Sequence, residues 1–66
     1  MELSDKEVEI AKYIIQGKKN YEIAKEINLS VHTVKFYIHS IIKKLGARNR
    51  THAAYILGQK NIIIKN

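Results

Sequence analysis

The stretch SVHTVKFYIHSIIKKL, Ser30 to Leu45, limits the fold more than any other part of the chain. Val31, Val34, Ile38, Ile41, Ile42 and Leu45 recur at helical spacing and form a continuous apolar stripe. His32, Lys35, Phe36, His39 and Lys43 recur at steps of three and four on a second stripe. That stripe carries hydrogen-bond donors, positive charge and one aromatic ring, and no acid. Ser30 is suited to cap the helix, because its hydroxyl can accept from an N–H group that the first turn leaves unpaired. Just upstream, Ile23, Ala24 and Ile27 make a shorter apolar pattern, followed at once by Asn28 and Leu29. Two helices joined by so tight a turn, the second with a basic outward face, have the layout of a DNA-binding helix-turn-helix.

Charge placement points the same way. Residues 1–26 hold all six acids and five bases, net −1, while residues 27–66 hold seven bases and no acid, net +7. An acid-free half that contains the organising helix is an electrostatic footprint for a polyanion. The competing explanation is a lysine-rich solvated surface, since an AT-rich genome alone inflates lysine, isoleucine and asparagine. Composition leaves the two level; the position of the charge favours nucleic acid. Other classes recede. Sixty-six residues make one domain at most, with a small core. With no cysteine there is no disulfide and no thiolate metal site. No stretch approaches the roughly eighteen apolar residues of a membrane span, and the acidic start MELSDKEVEI is unlike a signal peptide. A soluble, cytoplasmic protein with no membrane partner is the expectation.

The remaining segments read as scaffold. A first helix is expected over Leu3 to Gln16, with Ser4 and Glu7 as a capping box. Leu3, Glu7, Ile10, Ala11 and Ile14 share its inward face, widened by Val8 and Ile15. Glu7 and Glu9 stand two apart and face different ways, so they suit caps and salt bridges to the basic half and not paired acid catalysis. Gly17 fits the left-handed position that ends a helix. Asn20 is expected to cap a short second helix, Tyr21 to Ile27. Tyr21 fits either a phosphate contact through its hydroxyl or a half-buried surface aromatic. Leu29 plugs the core at the turn, Gly46 ends the third helix, and Asn49 caps a fourth, Arg50 to Lys60. There Ala53, Ala54 and Leu57 face inward, and His52, Tyr55, Ile56 and Gln59 form an outer stripe. Asn61 fits a left-handed helix end, with Ile62 to Ile64 closing over the core.

Six ordered blocks now resemble one family. The opening LSDKEVEI is similar to L-T-x-R-E-x-E-V, and Gly17 stands where that family has a glycine. Asn20-Tyr21-Glu22-Ile23-Ala24 is similar to N-x-E-I-A, and Ser30-x-x-Thr33-Val34-Lys35 to S-x-x-T-V-K. Ile41-x-x-Lys44-Leu45-Gly46 is similar to I-x-x-K-L-G, and Arg50-Thr51-x-Ala53 to R-T-x-A. From Leu3 to about Ile63 the chain resembles the LuxR-type (GerE, or FixJ/NarL-like) DNA-binding domain. The resemblance implies an all-α, compact four-helix bundle whose second and third helices form the helix-turn-helix, with the recognition helix third. It implies a bacterial transcription regulator on double-stranded DNA, a homodimer on an inverted repeat, no cofactor, and RNA polymerase as a further candidate partner. By matching position, Lys35, Phe36 and His39 face bases, and the stripe they share adds His32. Asn20, Tyr21, Ser30, Thr33, Lys43 and Arg50 suit phosphates. His52, Tyr55, Ile56 and Gln59 suit the dimer surface. Members are often the C-terminal domain of a larger regulator, and both that arrangement and a free-standing small regulator fit this chain. The chain departs from the family at Lys19, Tyr21, Tyr37 and Asn61, and Phe36 is bulky for a groove-facing position, though matched to thymine methyls.

Four other readings fit the sequence less well. His32 and His39 lie seven apart on one helix, about 10 Å, and His52 is on another, so no metal site is expected. No serine, cysteine or aspartate arrangement suits nucleophilic catalysis and there is no glycine-rich phosphate loop, so an enzyme is not expected. The promoter-reading fourth region of a sigma factor has a similar helix-turn-helix, but is not expected to carry the Arg50-Thr51-x-Ala53 helix. A protein-interaction module on the same fold is disfavoured by the acid-free recognition face.

Overall fold

A computed structural model describes residues 3–60. They form four helices, α1 (Asp5–Ile15), α2 (Asn20–Ile27), α3 (Val31–Leu45) and α4 (Arg50–Lys60), with no strand among the described residues. The all-α helix-turn-helix architecture is as expected, with α3 in the middle. It packs against all three other helices, and α1 also packs against α4.

Local chemistry sets most boundaries. Ser4 accepts from the Glu7 N–H at 3.2 Å, and the Glu7 carboxylate accepts from the Ser4 N–H at 2.8 Å, completing the capping box. Because the cap residue is itself extended (ψ 168°), α1 begins at Asp5 and not at Leu3; Leu3 instead packs against the core. Gly17 and Gly46 take left-handed φ of 80° and 68°, which costs glycine little. Asn28 does the same at φ 57°, where its short polar side chain is tolerated. That residue makes the tight corner between α2 and α3. Ser30 then caps α3 by accepting from the Thr33 N–H at 3.0 Å. Asn49 caps α4, accepting from the His52 N–H at 2.8 Å.

The core joins Ile10, Ala11 and Ile14 of α1 to Ile23 and Ala24 of α2, Val34, Ile38 and Ile41 of α3, and Leu57 of α4. Ala53 is fully buried and Ala54 partly so, as the fourth-helix pattern requires. Two apolar assignments are corrected. Val31, placed on the inward stripe of α3, is 40% exposed, because it opens the helix at the corner where Leu29 packs on the core instead. Ile15, at the end of α1, is 39% exposed for the same kind of reason: the helix outruns what covers it. The second helix also starts one residue earlier than expected. Lys19 is its cap, with its N–H held by the Glu22 carboxylate at 2.7 Å, and Asn20 is the first helical residue. Asn61 and Ile62 to Ile64 lie outside the described residues.

Candidate nucleic-acid interface

With Val34, Ile38 and Ile41 turned into the core, the opposite side of α3 faces outward. There His32, Lys35, Phe36, His39 and Lys43 are exposed and, with Ser40, line one open groove. The five residues of the polar stripe are thus brought together on one surface. No described acid pairs with Lys35 or Lys43, since the two ion pairs among the described residues are Lys6–Glu9 and Lys44–Glu7.

The adjacent lysines of α3 have different duties. Lys43 lines the groove, whereas Lys44, still partly exposed, reaches toward α1 and donates to Glu7 at 2.8 Å. The Ser40 hydroxyl donates to the other Glu7 oxygen, also at 2.8 Å. Glu7 itself is 3% exposed. Burial pushes its pKa up, but hydrogen bonds from Lys44, the Ser4 N–H and Ser40, with the Lys44 charge, outweigh that. They hold the carboxyl at about 2, below its ordinary 4.5. One buried carboxylate therefore ties two positions of α3, Ser40 and Lys44, to α1. Sequence reasoning gave Glu7 caps and salt bridges to the basic half, which it makes. It missed Ser40, which a polar residue flanking the apolar stripe signals only weakly.

The residues around α3 form a second group. At the α3 start, the Ser30 hydroxyl donates to Thr33 Oγ1 at 2.9 Å, which leaves the Thr33 hydroxyl proton free to donate outward. At the α2 start, Tyr21 is 62% exposed, so it is not the half-buried aromatic of the alternative reading. Arg50, first residue of α4, donates through one guanidinium nitrogen to Asn20 Oδ1 and through the other to the Lys18 carbonyl. This tie of α4 to the start of α2 was not legible in the sequence. It leaves the Asn20 amide nitrogen as that side chain's remaining donor group.

On α4, Tyr55 is 63% exposed and Gln59 exposed, while His52 and Ile56 are half-buried. His52 Nδ1 accepts from the Arg48 N–H at 3.0 Å. The outer stripe is therefore not uniform: His52 is engaged with its own helix start, and Tyr55 and Gln59 are its open members. Among the described residues no three histidines or carboxylates are grouped to hold a metal ion, and no helix is long and apolar enough to cross a membrane.

The family described as bacterial regulatory proteins, luxR family, matches residues 1–57. The chain is 44% identical over 62 residues to the transcriptional regulatory protein YdfI of Bacillus subtilis (strain 168), covering 94% of this chain and 29% of that protein. It is 44% identical over 61 residues to the uncharacterized transcriptional regulatory protein YvfU of the same organism, covering 92% and 30%. It is 36% identical over 61 residues to the response regulator protein VraR of Staphylococcus aureus (strain Mu3 / ATCC 700698), covering 92% and 29%. The chain therefore spans under a third of the length of these relatives.

Proposed function

Because this chain belongs to the luxR family of bacterial regulatory proteins, we propose that it is the DNA-binding domain of a cytoplasmic transcription regulator, acting at the nucleoid. The observation that carries this reading is the outward face of α3, where Lys35 and Lys43 have no described acid partner and the helix is braced from behind by Glu7. At fifteen residues α3 is about 22 Å long, enough to cross a major groove. His32, Lys35, Phe36 and His39 meet base edges, and the flanking groups hold the backbone. Lys43 supplies charge to phosphate, and Ser30, Thr33, Asn20 and Tyr21 supply hydrogen bonds. Arg50, with two of its five N–H donors spent on Asn20 and Lys18, both orients the α2 start and keeps donors for phosphate.

The domain works as a homodimer on an inverted repeat, through an α4 surface of His52, Tyr55, Ile56 and Gln59, so that two α3 helices enter successive major grooves. One helix from each subunit is a small interface, so DNA consolidates the dimer. RNA polymerase is the further partner in regulation. The test is selection of bound duplexes from a random DNA pool, followed by affinity measured against ionic strength. One enriched inverted repeat is expected, with binding that weakens steeply as salt rises. A pool that stays random, or binding indifferent to salt, would favour a protein partner for this face and overturn the reading.

A further inference from the structure

Phe36 is out of character with its surroundings. Its ring is 68% exposed, yet it stands in a groove otherwise lined by His32, Lys35, His39, Ser40 and Lys43. Tyr37 meets it edge-on, with ring centroids 6.0 Å apart and planes at 72°, which steadies the ring and leaves most of it uncovered. A lone exposed apolar side chain is ordinary on a protein surface. One centred in a row of donors, on the face that meets a ligand, is a recognition element. The major groove offers one apolar feature on its base edges, the C5-methyl group of thymine.

We infer that Phe36 determines sequence specificity by packing on a thymine methyl in the middle of the contacted site, with the flanking donors taking guanine acceptors. This rests on the DNA-binding reading above. The register follows from helix geometry. His32 and His39 are about 10 Å apart along α3 at 1.5 Å per residue, and contacts follow one another along the groove in the order of the residues. Phe36 lies between them, so its base lies between theirs. Residue types fix the flanks. Lys35 and the two histidine N–H groups suit the O6 and N7 acceptors of guanine. The exposed face holds no asparagine or glutamine for adenine and no carboxylate for the cytosine amino group. A guanine next to a thymine is therefore what this surface reads directly.

The experiment uses the whole chain and the duplex enriched from a random pool. Each thymine in turn is replaced by deoxyuridine, which pairs identically and lacks only the methyl group. We expect one thymine in each contacted site whose replacement weakens binding about three- to tenfold, the scale of one buried methyl contact. Phe36→Ala should bind the thymine and uracil duplexes equally, while circular dichroism shows the parent helix content. With a cytosine–guanine pair at that position, 5-methylation of the cytosine should strengthen binding by the parent and not by Phe36→Ala. Enriched duplexes that bind equally well with uracil at every position overturn the inference and leave the DNA-binding reading intact. A uracil penalty that survives in Phe36→Ala assigns the methyl contact to another residue and overturns it too. A pool with no enrichment overturns the parent reading, and this inference with it.

Discussion

Replacing Glu7 with glutamine tests whether the brace behind α3 is electrostatic. The carboxyl falls from an ordinary pKa of 4.5 to about 2 in the folded protein. By linkage that difference is worth about 3 kcal/mol at neutral pH. Glutamine keeps the shape and one acceptor, and the Lys44 side chain is 40% exposed and can rehydrate. The expected loss is therefore nearer about 2 kcal/mol. In a domain of this size about 2 kcal/mol lowers the melting temperature by roughly 8–16 °C. The pH dependence has a definite sign. A group whose pKa is depressed by folding contributes its full stability above its unfolded value and loses it as pH falls through the folded one. The parent should exceed Glu7→Gln in stability at pH 7, the gap should narrow below pH 4.5, and it should close near pH 2. Thermal or urea unfolding followed by circular dichroism at several pH values measures it. A gap that is absent at pH 7, or constant down to pH 2, would refute an ionised Glu7 held by Lys44.

Lys35→Ala should relax sequence preference and cost about 1–3 kcal/mol on the selected site, whereas Lys43→Gln should weaken all duplexes alike and lower the salt slope by about one. Binding titrations on selected and scrambled duplexes at several salt concentrations distinguish the two; identical behaviour would merge their roles. Arg50→Lys keeps the charge but cannot hold Asn20 Oδ1 and the Lys18 carbonyl in one planar fork. It should cost about 1–2 kcal/mol in unfolding experiments, and an unchanged melt would show the tie to be dispensable. Tyr55→Glu should leave the monomer folded, because the ring is 63% exposed, and should abolish cooperative filling of an inverted repeat while sparing a single half-site. Cooperativity equal to the parent's would remove α4 from the dimer surface.

What could be read from the chain, and what could not, divides by the distance over which each feature is decided. The bounds of α3 and the start of α4 follow from neighbours: Ser30 and Asn49 cap with their own side chains, and Gly46 supplies a left-handed residue. The start of α2 does not. Asn20 has the chemistry of a cap, but its side-chain oxygen is claimed by Arg50, thirty residues away, and Glu22 closes the turn through Lys19 instead. Val31 shows a different limit. Periodicity gives the angle at which a side chain leaves the helix, and says nothing of whether a neighbour extends far enough to cover it. Asn28 was visible but ambiguous, since asparagine suits caps, turns and left-handed positions alike.

The charge asymmetry was legible in sign and misleading in size. Counting residues gives the second part of the chain seven bases and no acid, as if every lysine of α3 faced a ligand. In the folded domain the acidic part reaches the basic one: Glu7 of α1 takes Lys44 of the neighbouring α3, along with the Ser40 hydroxyl. That contact subtracts one positive charge from the outward face and converts it into rigidity. The exchange favours specific binding, because a base reader must hold its side chains at fixed depth in the groove, whereas an extra unbraced lysine would add attraction for every sequence equally. Of the three lysines of α3, the two without a described acid partner are those lining the groove, and the third is tied to α1 through Glu7.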